Sequence, residues 1–375
     1  MIGCSAYDGT MYKTARMFCA PIGRLFWAIP ITLCLSMQLI APAFAQAIRR
    51  DLLQTEVASD PRPMALFVTG QGVASAYAVS TAGKSGKAGS KPLGPDTPVR
   101  VASNTKTFVA ATVLRLWEQG RIDLDAAIGP LLTPRLDALM RSGGYDTARI
   151  TVRQLLSHST GIYDHAQDER YLTLVFSQPG KRWSREDQVS LAVKWGKPLD
   201  PPGTAFHYSD TGYILVGDIV ERITGQSLGK AVRTQLRLDR LKLRSTWWEI
   251  LEDKPRRAPA RARQFIGNTE VTDLDASVDL HGGGGLVMSA KDLAKLMAAL
   301  FEGGCSSVPE PCRRCCGRAH TREPMVTALA SSSNMPTVVI TIGTADTGAP
   351  SPIMHLPPGL RSPASPPTKT PIAGW

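Results

Sequence analysis

The sequence predicts an α+β protein, and three observations predict it. Residues 64–70 and 73–80 are β-rich runs joined by Gln71-Gly72, the pattern of a hairpin. Residues 104–119 carry a broad apolar face at helical spacing. Residues 121–235 alternate helical segments with Pro/Gly loops, which reads as a helical subdomain.

A Gly/Lys/Ser-rich loop over 81–94 follows the hairpin. The next element is the helix of residues 104–119, with Phe108, Ala111, Val113, Leu116 and Trp117 on its apolar face and Gly120 in the C-cap place. Loops at Pro130, Pro179-Gly180 and Pro201-Pro202-Gly203 divide the helical subdomain. Further amphipathic helices are predicted over 214–223 and 292–300, and the glycine run 282–285 before Leu286-Val287-Met288 predicts a tight turn into a strand.

The chain is 375 residues long, 43 % hydrophobic and 20 % charged, enough for a sizeable core. Its first 45 residues read as a secretory signal peptide: Lys13, Arg16 and Arg24, an apolar run over 25–40, then Ala43-Phe44-Ala45 before Gln46. Translation starting at Met11 or Met17 instead of Met1 leaves that reading intact. The apolar run is interrupted by Pro30 and Gln38 and is short for a membrane span, which needs roughly 20 apolar residues, so no stable span is expected after cleavage. The expected location is the bacterial periplasm or the exterior.

The seven cysteines all fall at positions 4, 19, 34, 305, 312, 315 and 316, so the body between them holds no disulfide and must stand on its core. The formal net charge is +11. The body carries about +6 of it, evenly mixed, without the basic run or recognition helix that nucleic-acid binding requires. Domain boundaries are placed at 1–45 for the signal, 46–304 for the body, and 305–375 for a tail rich in Cys, Pro and Ser whose only β-like run is 337–342. The abrupt change at Cys305 reads as a frameshifted or replaced C-terminal part, expected to be disordered. Cys312, Cys315, Cys316 and His320 have loosely zinc-like spacing within that tail, and chance spacing accounts for it.

Ser103-Asn104-Thr105-Lys106 puts a hydroxyl at a helix start and an amine one turn later on the same face. The helix dipole favours an alkoxide there, and a lysine shielded from water can lose its proton near neutral pH. Ser with Lys is a workable activation pair. A second Ser-x-x-Lys, Ser227 to Lys230, follows a polar turn, where capping a helix is the natural role.

Residues 101–108, Val-Ala-Ser-Asn-Thr-Lys-Thr-Phe, resemble the first motif of the serine β-lactamase-like superfamily, which includes class C β-lactamases, D-alanyl-D-alanine carboxypeptidases and esterases. Tyr208-Ser209-Asp210-Thr211-Gly212-Tyr213 is similar to its second motif, and Leu155-Leu156-Ser157-His158-Ser159-Thr160-Gly161 and Gly284-Gly285-Leu286 fit the same family. The resemblance covers roughly residues 99–300 and implies an antiparallel sheet flanked by helices with a helical subdomain, incomplete at the C-terminus. It also implies that Ser103 attacks a carbonyl to form an acyl-enzyme while Lys106 and Tyr208 manage the proton, which of the two is the base being left open. A phenolate at Tyr208 requires a strongly lowered pKa, which neighbouring cations such as Lys106 can supply. Asp210 takes the substrate-binding place usually held by Asn; as a carboxylate it only accepts hydrogen bonds, and it can instead pair with Lys106. No metal or organic cofactor is implied.

The resemblance also implies a third motif, Lys-Thr-Gly or His-x-Gly, on a late strand paired beside the N-terminal hairpin, and none is found. Lys369-Thr370-Pro371 lacks the glycine, Asp346-Thr347-Gly348 lacks the cation, and His281-Gly282-Gly283 falls where the family has its earlier glycine segment. Losing the oxyanion donor on that strand costs about 10²- to 10³-fold in rate, and losing the strand itself leaves a sheet edge open. The substrate class expected is a small molecule or peptidoglycan-type peptide: a β-lactam, D-alanyl peptide, amide or ester, with an esterase or peptidase ahead of a true β-lactamase. The alternatives are a catalytically impaired remnant that binds wall peptides and an exported interaction module built on the tail.

Overall fold

The computed structural model describes residues 53–55, 57–58, 64–70, 73–79, 93–266, 269–301 and 338–343. The signal region, most of the loop over 81–94, the tail cysteines with His320, and both Lys369 and Asp346 lie outside the described residues.

The hairpin forms as predicted. Strand β1 (Met64–Gly70) pairs antiparallel with β2 (Val73–Val79), with Ala65 opposite Val79 and Phe67 opposite Tyr77. Successive side chains of β1 go to opposite faces and both faces are covered. Ala65 and Phe67 enter the main core, while Met64, Leu66 and Val68 pack with Ala76, Ala78, Leu53 and Val57 in a second cluster.

Two short strands lead into the functional region. β3 (Val99–Arg100) and β4 (Trp247–Trp248) flank β7 (Leu286–Met288), while β5 (Phe265–Ile266) and β6 (Thr269–Glu270) make a small hairpin of their own. Arg100 ties this region together: its guanidinium bonds Glu249 at 2.5 Å and the carbonyls of Val271 and Leu274 at 2.8 and 2.5 Å.

Helix α1 spans Asn104–Glu118, with Phe108, Val113 and Leu116 fully buried, and ends at Gln119 with Gly120 beyond it at φ 67°. The helical subdomain follows as α2 (Pro134–Ser142), α3 (Val152–Leu156), α4 (Glu169–Ser177), α5 (Arg185–Trp195), α6 (Asp210–Thr224) and α7 (Leu228–Gln235). α6 starts four residues before the predicted position because Ser209 caps it, its hydroxyl accepting from the Gly212 amide at 3.1 Å. Ser227 stands at the N-cap of α7 without a side-chain cap bond, exposed like Lys230, so the second Ser-x-x-Lys builds no site.

The glycine run leads into β7 (Leu286–Met288), as its composition predicts. β7 is central in the order β3-β7-β4, with Val99 opposite Met288 and Trp247 opposite Val287. After it, α8 (Ala290–Phe301) packs on β1, sharing the main core with Ala65 and Phe67 through Leu293, Leu296 and Met297.

The one β-like run of the tail forms strand β8 (Val338–Gly343), antiparallel to β1 with Thr69 opposite Val338 and Met64 opposite Gly343. β1 is therefore paired on both sides, and the open edge expected from the missing late strand does not arise beside it. β8 reads Val-Val-Ile-Thr-Ile-Gly and brings neither Lys nor His.

Candidate active site

The β3–β7 pairing continues past β3, since the Val101 amide donates to the Leu286 carbonyl at 3.0 Å. This last rung brings the start of α1 beside the glycine run. Ala102 then takes a left-handed φ of 44°, a conformation uncommon for a residue with a Cβ and typical of sites where strain is tolerated for geometry. The turn presents Ser103 at the head of α1, partly exposed, with its side chain free of any capping bond.

Ser103 and Lys106 come together as their spacing predicts, and Tyr208 joins them as the resemblance implies. Lys106 Nζ donates to Ser103 Oγ at 2.9 Å, and the Tyr208 hydroxyl donates to the same oxygen at 2.7 Å. Lys106 is only 2 % exposed, and its remaining partners are the Gly283 carbonyl at 2.8 Å and the carboxylate of Asp210. The ammonium thus has two hydrogen-bond acceptors, and its charge is answered by the ion pair with Asp210.

Asp210 takes the pairing role among the two open to it. It sits in the first turn of α6, where the helix dipole favours an anion, and Lys106 sits in the first turn of α1, where the dipole disfavours a cation. The ion pair answers both.

The electrostatics correct two expectations. Burial works to lower the pKa of Lys106, but Asp210, Tyr208 and Asp279 outweigh it, and the amine is held well above its ordinary value. Lys106 does not shed its proton near neutral pH. Tyr208 is pushed up as well, by burial and then by Asp210, against the lowering effect of Lys106. Lys106 still favours a phenolate there, but burial and Asp210 outweigh it.

Two further carboxylates lie near this pair. Asp279 and Asp164 are each pushed up to about 7 by burial and by the charge of Asp210. Asp279 packs against the glycine run: a Cβ on Gly284 would meet its Oδ2 at 1.8 Å. A cavity of about 10 Å³, room for one water, lies among His165, Gln188, Asp210, Asp279, His281 and Gly283. His281 faces this cavity and bonds the Trp183 carbonyl at 2.9 Å, so His281-Gly282-Gly283 works as backbone geometry. His207 pairs with Asp200 at 2.5 Å. Among the described residues no group of three or more His, Cys, Asp or Glu is placed to hold a metal, and no helix is long and apolar enough to cross a membrane.

Asp164, Asp279 and the Gly283 carbonyl were not singled out from the sequence. Isolated carboxylates far apart in the chain carry no spacing signal. His158 lies within the motif of residues 155–161, but its position in the sequence does not show which neighbours its side chain holds.

The putative fimbrial assembly protein FimD, serogroup D, of Dichelobacter nodosus is 28 % identical over 212 residues, 56 % of this chain and 51 % of that protein. The chain thus spans about half the length of that curated relative. The crystal structure of a D-stereospecific amidohydrolase from Streptomyces sp. superposes with a TM-score of 0.58 at 27 % identity, covering 71 % of this chain and 75 % of that one. A D-amino acid amidase from Ochrobactrum anthropi SV3 gives a TM-score of 0.52 at 26 % identity, covering 68 % of this chain and 70 % of the other. The Beta-lactamase family model matches residues 57–311, well over half the chain and all of the residues around Ser103, so this chain belongs to the Beta-lactamase family.

Proposed function

We propose that the chain is an exported serine hydrolase in which Ser103 forms an acyl-enzyme with an amide or peptide carbonyl, esters and β-lactams being alternative substrates. The observation that carries this is the Ser103 hydroxyl held at once by Lys106 at 2.9 Å and Tyr208 at 2.7 Å at the head of a helix. Likeness to a D-stereospecific amidohydrolase and a D-amino acid amidase supports the amide. The N-terminal signal pattern supports export.

Because Asp210 holds Lys106 as the ammonium, Tyr208 is the better acceptor of the serine proton. In the reactive form its phenolate oxygen takes the proton from Ser103 Oγ while Oγ bonds the carbonyl carbon and the carbonyl π pair moves to oxygen. The Ser103 amide, at the positive end of α1, faces that developing charge. Tyr208 then returns the proton to the leaving amine or alcohol, and water releases the acyl group. Lys106 stabilises the phenolate through its charge, 5.0 Å from the ring centre.

Absence of a Lys/His-x-Gly motif favours a second reading, a family member that binds wall peptides without turning them over. Intact mass of the purified chain and of Ser103→Ala, after exposure separately to a fluorophosphonate, a penicillin and a D-amino acid amide, separates the two. A Ser103-dependent adduct supports the hydrolase, and a folded chain that gains no mass supports the binding protein.

A further inference from the structure

His158 makes contacts that neither the motif nor the proton-transfer scheme accounts for. It follows α3 at a left-handed φ of 55°, its own amide bonding the Leu155 carbonyl at 3.3 Å. From there it holds each residue around Tyr208. Its backbone carbonyl accepts from the His207 amide at 2.7 Å, and its ring Nδ1 accepts from the Ser209 amide at 3.1 Å. The ring face lies on the Tyr208 ring, centres 4.5 Å apart and planes 25° apart, and its surroundings are completed by Tyr213 at 5.0 Å and Phe206 at 5.8 Å.

We infer that His158 is the positioning residue for Tyr208: with its carbonyl on residue 207, its ring nitrogen on residue 209 and its ring on residue 208, it sets the phenol against Ser103. The inference rests on the proposed acyl transfer at Ser103 for its catalytic meaning, but the clamp is a matter of geometry. A residue bonded at both neighbouring amides and covered on one ring face cannot slide along the chain or swing away from Ser103 without breaking one of these contacts. The same clamp fixes Ser209, whose hydroxyl caps α6, and so fixes where Asp210 meets Lys106.

The chemistry of imidazole fits this role. An Nδ1 that accepts a hydrogen bond requires the neutral ring with its proton on Nε2. Burial, then the nearby Lys106 cation, keeps the ring in that form, lowering its pKa to about 4 against an opposing effect of Asp210. Histidine is also among the residues that tolerate a left-handed backbone.

Two substitutions in the full chain divide the contacts. His158→Asn tolerates the left-handed backbone and keeps a side-chain acceptor but removes the ring; His158→Phe keeps a ring and removes the acceptor. Each is measured two ways: by acylation kinetics with the fluorophosphonate, and by carbon-13 spectra of ring-labelled tyrosine, with Tyr208 assigned through Tyr208→Phe. Positioning predicts variants that fold with acylation slowed about 10²-fold at unchanged KM for an ester substrate. It also predicts that the Tyr208 resonance and its titration, set by Lys106, Asp210 and Ser103, move away from wild type. A folded His158→Asn chain whose Tyr208 resonance and titration match wild type overturns the inference, and so does an unchanged acylation rate. The resonance decides the matter even if no compound acylates the wild-type chain, in which case the hydrolase proposal falls separately. Should His158→Phe fail to fold, His158→Asn decides alone.

Discussion

The Lys106 ammonium pairs with the Asp210 carboxylate while donating to the Ser103 hydroxyl, so the cation that the first motif supplies meets an anion that the second motif supplies. The pair raises Lys106 and, through Asp210, helps raise Tyr208. In the proposed acyl transfer, both groups that touch Ser103 Oγ are thus held toward their protonated forms.

Acylation is expected to rise with pH as Tyr208 deprotonates. Asp210→Asn removes an anion beside two groups whose pKa it raises, so both fall. The ascending limb of acylation rate against pH moves to lower pH in this variant, and a limb that stays in place or moves upward refutes the coupling.

Tyr208→Phe removes the hydroxyl that touches Ser103 Oγ and leaves the ring stacked on His158. Acylation should fall by about 10²- to 10⁴-fold, the usual contribution of a positioned proton acceptor. Stability should change by only about 1 kcal/mol, the worth of one hydrogen bond, as read from a denaturant midpoint.

Stability against pH has two opposed contributions. Asp164 and Asp279 titrate at 3.8 when unfolded and near 7 when folded, so between these values the native state holds extra protons and their contribution falls as pH rises. His158 and His165 titrate at 6.5 unfolded and near 4 folded, so between these values the native state holds fewer protons and their contribution falls as pH drops. Between about pH 4.5 and 6.5 these contributions oppose one another. Asp279→Asn removes one acid contribution and leaves the histidine slope uncovered, so its thermal midpoint should drop on acidification more steeply than wild type. Parallel curves for the two chains would exclude this account.

Gly282 has φ 135°, and a Cβ there would meet the Tyr213 carbonyl at 2.2 Å. Gly282→Ala should cost about 3 kcal/mol, combining a forbidden backbone with a backbone clash. Because Gly283 is the next residue, its carbonyl should leave Lys106, and acylation should weaken in whatever fraction folds. Thermal unfolding and acylation on one preparation test both effects.

Much of the fold is legible in the sequence because its signals are local. Two β-rich runs joined by Gln71-Gly72 mark β1 and β2, helical spacing of Phe108, Val113 and Leu116 marks α1, and the glycine run marks the turn into β7. Ser103, Lys106 and Tyr208 are legible because hydroxyl, amine and phenol stand in motifs of fixed spacing. Asp164 and Asp279 are not, because nothing in their neighbouring residues distinguishes a buried carboxylate from a solvated one.

The sequence by itself pointed to Ser103 and Lys106, one helical turn apart on α1, and its resemblance to a known family added Tyr208 and Asp210 at the start of α6. Their protonation was decided by tertiary structure alone. A pKa depends on burial and on charges gathered from distant parts of the chain, and only folding brings Asp210, Asp279 and Asp164 around one lysine. The pairing of β8 with β1 was decided in the same way: a β-like run in a tail shows its propensity, but its partner is set by which edge the folded core leaves within reach.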